Sequence, residues 1–170
     1  MQERTVLILV VVLVVATAGA GVAVNAFRNG DSGAWHAFFV TLEWQGNPVV
    51  GSQMQITVHV RQGQLDSRTL PAVFLSLDVS TLAVASATPG TNPWGYPTVW
   101  NLTGVDFSSP RVYNVTAAPT EAGSTTLYAM IWVPLGDLRS VSVDSVGHVN
   151  PADISLMAAD SAVFTVTAAA

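Results

Sequence analysis

Apolar and polar positions alternate along most of this chain, and where they do not, one long apolar run replaces them. Phe38, Val40, Leu42 and Trp44 alternate with more polar neighbours, and Gly46-Asn47-Pro48 then turns the chain. Met54, Ile56, Val58 and Val60 alternate with Gln53, Gln55, Thr57, His59 and Arg61. A period of two with one apolar face is the mark of a half-buried strand. Val73, Leu75, Leu77 and Val79 predict another strand, which Leu82–Ala87 continues after a kink. Further strands are expected over Thr98–Leu102, Val112–Ala117, Thr125–Val133, Ser140–Asp144 and Ala162–Thr167, with 147–160 irregular. In Thr125–Val133 both faces are apolar: Leu127, Ala129, Ile131 and Val133 on one, Tyr128, Met130 and Trp132 on the other. Such a strand is covered on both sides or presents its outer face to a partner. Thr88–Pro97, with three prolines and two glycines, must be a loop.

The apolar run is Thr5–Val24, TVLILVVVLVVATAGAGVAV, without a charge. As a helix its 20 residues would span about 30 Å, the thickness of a bilayer's hydrocarbon core. The run therefore predicts an N-terminal membrane anchor (1–26, helix over 5–24). A polar linker (27–34) and one ectodomain (35–170) follow. A cleaved secretory signal remains the alternative, with cuts after Ala16-Thr17-Ala18 or Val24-Asn25-Ala26. The retained anchor is preferred because the hydrophobicity continues past the first cut site. Gly19 and Gly21 form a small-residue patch on which a second helix would pack. A short N-terminal tail inside places the C-terminal domain on the periplasmic or extracellular side, in a single-pass arrangement.

Composition sharpens this picture. Only 10% of the 170 residues are charged, and all six basic residues are arginine. Ordinary soluble domains carry roughly 25% charge, so much of this surface is expected to be covered by partners. The net charge of −5 argues against nucleic acid, which requires a basic face. The absence of cysteine excludes disulfides, a thiol nucleophile and cysteine-ligated metals.

The fold class that follows is mainly β: an antiparallel β-sandwich of about 7–9 strands (by strand pattern) behind one transmembrane helix. The run VVGSQMQITVHVRQG, followed by VYNVTAAPTEAGSTTLYAMIWV, resembles the immunoglobulin-like and fibronectin-type-III-like exported domains of prokaryotes. The cysteine pair of antibody domains is missing. The resemblance implies adhesion, spacing or assembly more often than catalysis.

Candidate chemistry is sparse. His36, His59 and His148 lie far apart, and His59 falls on the opposite strand face from Met54, which disfavours a copper site. Asp137, Asp144, Asp153 and Asp160, with Asn150, are spread through the C-terminal third without the tight spacing of a calcium loop. No Gly-x-Ser-x-Gly or phosphate-cradling glycine motif occurs. No catalytic, cofactor or metal residue is assigned. Asn101-Leu102-Thr103 and Asn114-Val115-Thr116 match the N-glycosylation acceptor pattern. Trp94, Tyr96 and Trp100 cluster about the proline-rich loop, either as contact anchors or as a cap on the core. Trp35, beside His36, is a candidate interface residue at the membrane.

The function expected is non-catalytic: a structural or accessory subunit of a larger membrane protein complex, for example an energy-transducing one. Its partners would be membrane lipid and other membrane-protein subunits. The alternatives are a pilin-like subunit of an extracellular filament and a secreted metal- or ligand-binding domain.

Overall fold

The structure, a computed structural model, describes residues 21–24, 38–63 and 72–169. Among the described residues nine strands follow in chain order: β1 (Gly21–Val24), β2 (Phe38–Gly46), β3 (Met54–Gln62), β4 (Phe74–Asp78), β5 (Leu82–Ala87), β6 (Val99–Asn101), β7 (Arg111–Pro119), β8 (Gly123–Pro134) and β9 (Ile154–Val166). They form two antiparallel sheets, β1-β2-β3-β7-β5 and β6-β4-β8-β9.

The alternation read from the sequence decides which side chains meet between the sheets. Phe38, Val40, Leu42 and Trp44 of β2 are buried, as are Met54, Ile56, Val58 and Val60 of β3. They pack in one cluster with Leu75 and Leu77 of β4, Leu127, Ala129 and Ile131 of β8, and Ala162, Phe164 and Val166 of β9. This is a mainly β protein with its core between two layers, as a sandwich requires.

The second sheet is covered on its other face as well. Phe74 and Trp132 point outward and pack with Val141, Val149 and Ile154 in a separate cluster. The cover is the β8–β9 connection, which holds two short 3-10 turns (Leu138–Ser140 and Pro151–Asp153) and a Val143–Val149 bridge. All five residues of β4 are therefore buried. Gly147 fixes the docking of this cover: its φ is +83°, and a Cβ there would overlap the Leu77 carbonyl oxygen and crowd Thr98 Oγ1.

Four expectations are corrected. Val141 and Val143 do not form a regular strand but belong to this covering segment. β9 begins at Ile154, eight residues before the predicted start. Its alternation is broken where the register shifts between Ile131 and Trp132, which pair with Ala158 and Leu156 and leave Met157 unopposed. Leu82–Ala87 does not extend β4 but crosses to the other sheet and pairs with β7.

The fourth concerns the apolar run. Gly21–Val24 was expected to complete a helix; it is a strand, with Gly21 opposite Gly46 and Val24 opposite Glu43. The open edge of β2 offers backbone partners there, and the two valines favour extended backbone. Gly21 is thus a strand residue, while Gly19 and the rest of the run (5–20) lie outside the described residues, as does the linker (27–34). Among the described residues no helix is long and apolar enough to cross a membrane.

Candidate contact surface

The proline-rich loop is built around one side chain. Asn92 Oδ1 accepts the N–H groups of Trp94 (3.1 Å) and Tyr96 (3.2 Å), and its Nδ2 donates to the carbonyls of Tyr96 and Val99, both at 2.8 Å. All the hydrogen-bonding positions of one amide close the loop. An asparagine with flanking Pro and Gly is suited to this, since its short side chain competes well for local backbone groups.

The three aromatics named from the sequence go to different places. Trp100 is 1% exposed in the main core. Its Nε1 donates to the Thr88 carbonyl at 2.9 Å, and its ring lies 5.1 Å from that of Tyr113. Gly90 lets the chain pass against the Trp100 ring, where a Cβ would collide. Burial pushes the Tyr113 phenol above its usual value, with Arg111 opposing. Trp94 is half-buried and completes an aromatic group with Phe74 (5.3 Å) and Trp132 (5.7 Å), which are themselves 4.9 Å apart. Tyr96, also half-buried, lines a hollow of about 310 Å³ together with Thr88, Asn92 and Pro97. Trp94 and Trp100 thus direct their rings into the two clusters.

The polar candidates serve the backbone. Asp137 accepts from Arg139 N–H, Asn150 from Ala152 N–H and Asp153 from Ser142 N–H. Asp144 Oδ1 accepts from both Val146 and His148, each at 3.0 Å. These residues shape the covering segment by capping its turns. Asp160 does something the sequence did not signal. It is buried on the inner face of β9 and accepts Leu42 N–H at 2.7 Å and Ser161 N–H at 2.9 Å. His148 Nδ1 lies 3.1 Å from Asp78, and His59 Nε2 lies 3.7 Å from Glu43 on the outer face of the first sheet. His36 and Trp35 lie outside the described residues. Among the described residues no three His, Cys, Asp or Glu side chains come together as a metal-binding group.

Both sequon asparagines are exposed. Asn101 ends β6 at the edge of its sheet, while Asn114 lies within β7, between β3 and β5.

The large exposed apolar residues lie elsewhere than on the loop: Phe39 and Val112 on the first sheet, Leu135 just after β8, and three on β8 and β9. Tyr128, Leu156 and Val163 are 46%, 56% and 57% exposed. The β8–β9 register sets Thr126 opposite Val163, Tyr128 opposite Ser161, Met130 opposite Ala159 and Trp132 opposite Leu156. Directly opposed residues share a face, so all of these lie on the outer side of the second sheet. Trp132 is sealed by the covering segment; Tyr128, Leu156 and Val163 lie beyond it. The face runs about 20 Å along the strands at the usual rise per residue. Asp160 is the one charged residue of β8 and β9, and it points inward.

Comparison with protein family models, with curated proteins and with solved structures finds no match.

Proposed function

We propose that this chain is a non-catalytic, membrane-anchored structural subunit that joins a larger membrane assembly through the outer face of β8 and β9. The observation that carries the reading is that β8 and β9 place no charge on this face, with Tyr128, Leu156 and Val163 exposed on it. A pair of strands with no outward charge and with exposed apolar and aromatic side chains suits contact with another subunit better than contact with water; on the same face Asp78 of β4 lies opposite Tyr128 but is buried against His148. The low charge of the whole chain points the same way.

The strand order supports an immunoglobulin-like reading of the domain. With β2, β3, β4, β5, β7, β8 and β9 taken as A to G, the sheets run A-B-E-D and C-F-G. That is the order of the seven-stranded immunoglobulin constant type. β1 and β6 are additions at the sheet edges, and β6 follows β5 rather than preceding it. The fold alone assigns no partner; the reading rests on the exposed face of β8 and β9.

The anchor in this reading is Thr5–Ala20, because Gly21–Val24 is committed to the sheet. Sixteen residues as a helix span about 24 Å, and a bilayer accommodates a short span by local thinning. The anchor would join the sandwich beside the β2–β3 turn. The domain would lie outside the membrane.

Gentle detergent extraction of native membranes, followed by native separation and intact mass of this chain, tests the reading. A chain that keeps its first residues and migrates inside a large complex supports it. A chain that has lost residues up to the start of β1 and runs alone overturns it in favour of a secreted domain.

A further inference from the structure

We propose that Asn101 carries an N-linked glycan and that Asn114, the other residue in a matching motif, does not. The proposal rests on the external placement of the domain argued above. Sequence pattern alone ranks the two sites equally, because both read Asn-x-Thr. The structure separates them.

Asn101 is exposed at the end of β6, the edge strand of its sheet. Its Oδ1 accepts the N–H of Thr103 at 2.9 Å, so the acceptor and the hydroxyl residue are held in one three-residue turn. Among the described residues its Nδ2 has no partner in a hydrogen bond. This turn needs no residue beyond 101–103 and is available whether sugar transfer precedes or follows folding. Leu102 is buried and anchors the turn from beneath, and Thr103 Oγ1 accepts Val73 N–H at 3.0 Å. The asparagine amide is left facing outward on a fixed base.

Asn114 also keeps its Nδ2 without a hydrogen-bond partner among the described residues, but its backbone and Oδ1 are tied to neighbouring segments within the sheet. Its N–H donates to Thr88 Oγ1 at 2.7 Å and its carbonyl accepts Thr88 N–H at 2.7 Å. Its Oδ1 accepts the Thr57 hydroxyl at 3.1 Å. It is flanked by Val112, Val115 and Thr116, whose β-branched side chains favour extended backbone, and it lies inside β7. An extended strand cannot bring Asn and Thr into the turn that Asn101 forms.

The donor would be an oligosaccharide linked through phosphate to a membrane polyprenol. The Asn101 Nδ2–anomeric carbon bond forms and the anomeric carbon–phosphate oxygen bond breaks. The amide nitrogen loses one proton, and the lipid phosphate leaves with the bonding electron pair. A glycan here would also shield the β6 edge from pairing with another strand.

The test is glycopeptide and intact-mass analysis of the full chain from its native host, with Asn101→Asp and Thr103→Ser variants and protease accessibility of intact cells. Asn101→Asp keeps the oxygen that forms the turn but offers no amide, so the variant folds and loses the mass of one glycan. Thr103→Ser retains that mass. An exposed, externally located chain whose Asn101 peptide is unmodified, or whose added mass persists in Asn101→Asp, overturns the proposal. An unmodified chain that is also protected inside the cell overturns both the glycan and the external placement.

Discussion

The Leu42 N–H donates to the carboxylate of Asp160 at 2.7 Å, across 118 residues of sequence and from one sheet to the other. Leu42 lies on β2 and Asp160 on β9, an edge strand of the facing sheet. The bond ties the two layers at the side of the sandwich where their edges meet. It also gives β2 an acceptor just beyond the four residues, Glu43–Gly46, that β1 covers. An inward carboxylate on an edge strand discourages pairing with a foreign strand.

Replacing Asp160 with alanine strands that buried N–H. The expected loss is about 1–3 kcal/mol, the usual cost of an unpaired buried polar group. Asp160→Asn keeps one acceptor but turns an amide N–H toward a second donor, and falls between the two. Urea titration of the three proteins would rank them; equal midpoints would mean that the bond contributes nothing.

The same residue sets a pH dependence. Burial raises its pKa above 3.8, and the N–H groups of Leu42 and Ser161 oppose that only in part. The folded value therefore exceeds the unfolded one, and protonation of Asp160 favours the fold. Its contribution is fully present below 3.8 and is lost as pH rises through the raised folded value. The stability advantage of the native protein over Asp160→Asn should shrink with rising pH across that window. An advantage that grows with pH would contradict the assigned environment.

Glycine is required at position 147 for two reasons, positive φ and lack of space, whereas Gly51 has φ +78° but open space around it. Alanine at 51 should cost about 1–2 kcal/mol for backbone conformation alone. Alanine at 147 should cost about 1–3 kcal/mol more for the forced overlap, and it should loosen the cover over Phe74 and Trp132. Thermal melts with tryptophan fluorescence would report both effects.

Trp100→Ala opens a cavity in the main core and should cost about 3–5 kcal/mol. Trp94 is half-buried at the margin of the second cluster, so Trp94→Ala should cost less while still shifting the fluorescence of Trp132, whose ring lies 5.7 Å away. Equal losses for the two would show that the loop, not the core, governs stability. Asn92→Ala should free the loop and raise its susceptibility to proteolysis.

The residues that were legible in the sequence are those whose neighbours obey a simple period. β2 and β3 bury the apolar positions their alternation marks, whereas the two-faced pattern of Tyr128, Met130 and Trp132 left two outcomes open, and the structure covers Trp132 but leaves Tyr128 exposed. The start of β9 was hidden because its first part, ISLMAADS, mixes small residues with an inward aspartate and an unopposed Met157. Trp94 could not be placed because its packing depends on Phe74 and Trp132, 20 and 38 residues away in the sequence. Gly21–Val24 carried no signal separating strand from helix, since a continuous apolar run has no period to read. The exposed face formed by Tyr128, Leu156 and Val163 needed the β8–β9 register, which no single strand contains.

Leu156→Glu with Val163→Glu should leave stability within about 0.5 kcal/mol each, as exposed substitutions generally do. The double variant is the most direct probe of the proposed assembly. Native membranes carrying either form would be extracted in mild detergent and separated under native conditions, with this chain detected by mass. The account predicts that the wild-type chain migrates within a large complex and that the folded double variant is released from it. A wild-type chain that runs alone, or a double variant that still co-migrates with the complex, would contradict the assignment of this face as the contact surface.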